Sequence, residues 1–280
     1  MRISFLRNLV VIVFALLLGE SCTNILAQSG AKTDDALLVD AQIAMNAKDF
    51  TTALAKFKLM SAPYLAQRDV ISQNASAYAG RCGLDFLSLV TSFTNIGTGT
   101  VLATLYKSAV GAIASQETDC KSAEALLIGL NSKSVNENLL LGLIEFQKIG
   151  TILAQFGDQS AKGAIDAAFD PCQSTKGTLP GATGIPILEA QEFSASLMIA
   201  LNSLSASGVS AFSGATGNLK TYCTAMKAIL GGPDPCAQTL PSSFTNQELQ
   251  VLMGLVKTNF FGIGACADTT LVACTCAVYP

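Results

Sequence analysis

Cysteine is the residue type that most constrains the chemistry open to this chain. There are nine: Cys22, Cys82, Cys120, Cys172, Cys223, Cys236, Cys266, Cys274 and Cys276. Setting Cys22 aside, eight remain, an even number that predicts four disulfides in an oxidising compartment. Their spacing does not say which pairs with which. Cys274-Thr275-Cys276, with Cys266 upstream, could also form a thiolate metal site. In an exported chain, bridges that fasten the C-terminal segment are the expected use of these thiols. No metal site and no cofactor are expected.

Histidine and tryptophan are absent from the chain. Without histidine there is no Ser-His-Asp or Cys-His catalysis, no mixed Cys/His zinc site and no histidine-ligated haem. Asp-Pro-Cys occurs twice, at Asp170-Pro171-Cys172 and Asp234-Pro235-Cys236. Two isolated aspartates are too few for calcium, so both are read as helix stops followed by a pinned loop. Gly97-Thr98-Gly99 and Gly262-Ile263-Gly264 lack the strand and helix that a phosphate-binding loop needs, and are read as turns. Ser29 and Lys32 have the Ser-x-x-Lys spacing of some acylating enzymes but lie in a presumed tether. No catalytic residues are assigned, and the chain is expected not to be an enzyme.

The elements that carry these residues begin with an N-terminal address. Arg2 and Arg7 precede an apolar run from Leu9 to Leu18, too short to cross a bilayer and laid out as a secretory signal. Residues 1–21 are therefore assigned as a signal peptide. The sequence Leu18-Gly19-Glu20-Ser21-Cys22 resembles the cleavage box of bacterial lipoproteins, although Gly19 stands where that box prefers a larger residue. The resemblance implies lipidation of Cys22, a flexible tether over 22–32, and a periplasmic or outer-membrane address. A cut after Ala27, releasing a soluble exported protein, is the alternative.

From residue 33 onward the expectation is one all-α domain, a multi-helix bundle or irregular helical array stapled by disulfides, with a possible lobe boundary at 173–186. Thr33 caps a first helix, and Ser134–Glu137 and Thr245–Glu248 are capping boxes that open later ones. The helix after Ser134 is apolar around most of its circumference and must be central, with Glu145, Lys148 and Gln155 as its narrow wet stripe. Other helices are expected near 68–94, 101–116, 121–131, 160–169, 187–206 and 210–230. Thr269–Val278 is the single strand candidate. The uncharged stretch Phe86–Tyr106 is interrupted by glycines and reads as two buried helices around a turn.

Leu37, Ala41, Ala44, Phe50, Ala53, Leu54 and Phe57 fall on the pattern of a helical hairpin with small residues at its crossing. Over about 30 residues this resembles a tetratricopeptide repeat. The resemblance implies a scaffold that holds protein partners, here through the charges Asp34, Asp35, Asp40, Lys48, Asp49, Lys56 and Lys58.

With 17 Lys and Arg against 20 Asp and Glu, the net charge of −3 offers no nucleic-acid surface. Charged residues make up 13% of the chain, about half the usual share, so the folded part is dry. The function expected is a non-catalytic binding or scaffold protein of a bacterial envelope, with a protein partner and membrane contact through the lipid alone. A carrier for a small apolar ligand and a carboxylate-based enzyme are the alternatives.

Overall fold

The computed structural model describes residues 32–94, 100–109, 112–158, 162–173, 184–208, 213–231, 234–259, 261–264, 266 and 271–277. The signal peptide, Cys22, the alternative cut at Ala27, most of the tether, Gly97–Gly99 and most of the 173–186 linker lie outside these residues. The described residues form helices joined by turns and irregular loops, with an isolated bridge between Thr258 and Cys266. They fall into two compact units, one ending at Ala66 and the other beginning at Gln67.

In the first unit, α1 (Asp34–Asn46) and α2 (Phe50–Phe57) pair as a hairpin, followed by the single turn α3 (Ala62–Leu65). Thr33 caps α1 through the Ala36 amide, and Asp49 caps α2 through the Thr52 amide at 3.0 Å. The small residues Ala41, Ala44 and Ala53 are buried with Leu37, Leu54 and Phe57, so the two backbones approach closely.

The second unit contains α4 (Arg68–Arg81), α5 (Phe86–Thr94), α6 (Val101–Ser108), α7 (Ala114–Ile128) and α8 (Val135–Gly157). These are followed by α9 (Ile187–Ser207), α10 (Ser213–Leu230), α11 (Asn246–Lys257) and the short α12 (Leu271–Cys274). Both predicted capping boxes form, at Ser134–Glu137 and Thr245–Glu248. Helix α8 is the axis and packs on α9, α7 and α6. It is long and apolar enough to cross a membrane, but its most apolar window is 78% buried within the fold. Gly150 permits the contact with α6, since a Cβ there would stand 2.5 Å from the Leu105 carbonyl oxygen. The main core joins Phe146, Ile149 and Leu153 of α8 to Phe193, Leu197 and Leu201 of α9 and to Leu252 and Val256 of α11.

Several helix expectations need correction. Residues 162–169 are not helical, because Asp158 accepts hydrogen bonds from the Lys162 and Gly163 amides at 2.9 and 2.7 Å. Those amides are thereby withdrawn from helical bonding, and Gly163 turns the chain with φ 73°. The expected helix over 101–116 stops at Ser108, and α7 starts at Ala114, where Gln116 reaches back to the Ile113 amide at 2.9 Å. The strand candidate 269–278 contains a helical turn at Leu271–Cys274, held by a bridge from Cys274 to Cys266.

All eight expected cysteines pair, as Cys82–Cys120, Cys172–Cys276, Cys223–Cys236 and Cys266–Cys274. Four disulfides suit an oxidising, extracytoplasmic compartment.

Candidate functional site: a buried carboxylate–lysine ladder

Three helices direct their few charges at one another. Helix α7 presents Glu117, Lys121 and Glu124 at i, i+4 and i+7, hence on one face. Helix α9 has Glu189 and Glu192 as its only charged residues, and α8 has Glu145 and Lys148 in mid-helix. Glu145 and Lys148 are fully buried, which overturns their assignment to a wet stripe. An apolar-all-round helix inside a bundle has no wet side, so its polar side chains must find partners on its neighbours.

The Lys148 ammonium is ion-paired to Glu124, stands 3.1 Å from Glu145 and lies 3.6 Å from Glu192. Toward the surface, Lys121 meets Glu117 at 2.7 Å, Glu192 at 3.8 Å and Glu189 at 4.0 Å, with 38% of its side chain exposed. Gln155 of α8 donates to Glu117 at 3.3 Å. The ladder thus runs from solvent to the sealed interior, with five carboxyls around two ammonium groups.

That imbalance is met by protons. Burial pushes the Glu145 carboxyl up to about 7, against the attraction of Lys148. Burial, together with a hydrogen bond to Glu117, pushes Glu189 up to about 7. Burial disfavours the charge of Lys148, but Glu145, Glu124 and Glu192 hold its pKa above the usual value. The ladder can store protons and hold three helices in register. A substrate does not reach Glu145, whose side chain is wholly enclosed. Among the described residues no group of three or more Cys, His, Asp or Glu side chains is arranged for a metal ion.

The raised pKa values set the sign of a pH effect. Above about pH 4.5 the unfolded chain has released protons that native Glu145 and Glu189 retain, so stability falls as pH rises toward about 7. For the fully buried Glu145 the expected change is of order 3 kcal/mol. Denaturant titrations at about pH 5 and about pH 8 should show the protein more stable at the lower pH, and Glu145→Gln should flatten the difference. A profile that rises over this interval would contradict the proton-holding ladder. At lower pH the trend reverses. Arg68 and the Ser134 amide hold Glu137 down to about 2, so its contribution is lost as pH falls through the acid range.

The charges assigned to a partner surface on the hairpin have structural partners of their own. Asp34 accepts from the amide of Ser61 at 2.9 Å and from its hydroxyl, Asp35 accepts from the Tyr64 hydroxyl at 2.6 Å, and Asp49 is a cap. Asp40 is ion-paired to Lys32 and lies 3.4 Å from Lys56. Lys48 and Lys58 are exposed. The two Asp-Pro-Cys motifs behave alike, each aspartate accepting the amide of its cysteine at 3.0 Å. Gly262–Gly264 forms a turn in which Thr258 accepts the Gly262 amide at 3.1 Å.

Two open cavities stand among the described residues. One, of about 550 Å³, is lined by Asn202, Lys220, Thr224, Lys227 and Asp234 with the Cys223–Cys236 bridge in its wall. The other, of about 410 Å³, is lined by Arg81, Gln116 and Asp119. In the latter Arg81 is already committed to Asp119 through contacts of 2.8 and 2.6 Å.

The signal for the ladder was present in the sequence as Glu117, Lys121 and Glu124 on one face of α7, with i, i+3 pairs of charges on α8 and α9. No protein family, curated protein or solved structure matches this chain.

Proposed function

We propose that this is an exported, lipid-tethered, non-catalytic binding protein that holds a protein partner on the outer face of α1. The observation that carries the reading is an uncovered apolar pair. Asp35, Val39, Gln42, Ile43 and Asn46 follow one exposed stripe of α1, and Val39 and Ile43 are 53% and 62% exposed. The opposite face, Leu37, Ala41 and Ala44, fills the hairpin core, and Val39 and Ile43 stand outside it. The complement of Val39 and Ile43 is an amphipathic segment with apolar anchors at helical spacing. The resemblance to tetratricopeptide hairpins and the tether leading from Cys22 support the same reading.

Val39→Glu with Ile43→Glu tests the proposal. Substitutions on this exposed stripe should leave stability within about 0.5 kcal/mol. Retention of the partner that the wild type binds from solubilised membranes should fall at least tenfold, since removing two apolar anchors costs more than about 1.4 kcal/mol. Undiminished retention of the same partner by the double variant would overturn the assignment of this face.

A further inference from the structure

The cavity of about 550 Å³ beside α10 has a charge that the rest of the protein does not explain. The chain is net negative at −3, yet this lining has two lysines against one aspartate. That aspartate, Asp234, is engaged by the Cys236 amide at 3.0 Å. Several lysines elsewhere are partnered: Lys32 and Lys56 by Asp40, Lys121 and Lys148 by glutamates, and Lys257 by Asp170. The Lys220 and Lys227 side chains face the cavity with neither ion pair nor hydrogen bond.

We propose that this cavity binds a small polyanionic group, phosphate ester or dicarboxylate in character, between Lys220 and Lys227. The two lysines are seven residues apart on α10, two turns or about 10 Å along one helix face. Thr224 stands one turn from each. Flexible stems let both ammonium groups converge at the level of Thr224, or grip the two ends of a longer anion. Asn202 supplies a further donor: its side-chain amide holds the Cys236 carbonyl at 3.3 Å through one hydrogen and keeps a second. The Cys223–Cys236 bridge ties α10 to the turn that forms the opposite wall, so the donors are held on a fixed frame. The volume suits a small molecule or a lipid headgroup.

Inorganic pyrophosphate is the soluble probe, titrated calorimetrically into the oxidised protein. One equivalent should bind, and affinity should fall as salt is raised. Lys220→Gln and Lys227→Gln should each weaken binding about tenfold, and the double variant about a hundredfold, with unchanged melting temperatures. Flotation with phosphatidylcholine vesicles, with and without phosphatidylglycerol, distinguishes the source of the anion. Capture by the anionic vesicles that the double variant loses would mark a lipid headgroup, and binding of pyrophosphate alone a free anion. If neither probe binds, or if the double variant binds as the wild type does, the site is overturned.

Discussion

Replacing Lys148 by methionine should lower the stability of the second unit by about 3–5 kcal/mol. The substitution keeps the volume of the side chain and removes only its charge. Glu124 and Glu192 would then lose the buried ammonium they share, and Glu145, 3.1 Å from it, would be enclosed without its cation. Breaking one side of a buried ion network costs more than the network contributes, because the remaining charges stay desolvated. Guanidinium unfolding monitored by circular dichroism gives the measurement. Against a total stability of about 5–15 kcal/mol the loss would be plain. Glu145→Gln combined with Lys148→Met should recover part of it, since a neutral amide replaces the most deeply buried carboxyl. A single variant that unfolds at the wild-type denaturant concentration would show that Lys148 does not hold the ladder together.

A second large effect is expected at the bridge between Cys172 and Cys276, which spans 104 residues. Closing a loop of that length restricts the unfolded chain by about 4–5 kcal/mol, against about 2.5 kcal/mol for the eight-residue separation of Cys266 and Cys274. Replacing Cys172 and Cys276 together by alanine should therefore lower the melting temperature more than replacing Cys266 and Cys274. Equal losses, or the reverse order, would mean that native strain or residual structure outweighs loop length.

Legibility in the sequence followed range. Thr33, Ser134–Glu137 and Thr245–Glu248 announce helix starts within four residues, and each forms as written. The apolar circumference of α8 announced its central place for the same local reason. The non-helical course of 162–169 was hidden because it depends on where the Asp158 carboxylate turns. Glu145 and Lys148 were misread because a charge on an apolar helix looks like a solvent edge. Only the carboxylates of α7 and α9 reveal that it faces inward. The pairing of the cysteines was hidden for the same reason, since spacing carries no information on which loops meet.

The placement of the bridges also sets a timetable for making the protein. No cysteine lies between Cys22 and Cys82, so the α1–α2 hairpin can form in a reducing environment from contacts close in sequence. The larger unit cannot be locked until an oxidant is met. Once oxidation begins, the bridges separated by 8 and 13 residues close sooner than those separated by 38 and 104. Cys172 must stay unpaired while Cys223, Cys236, Cys266 and Cys274 emerge and find one another. A thiol left waiting among four others is the natural client of a disulfide isomerase, and the yield of correctly bridged protein should depend on one.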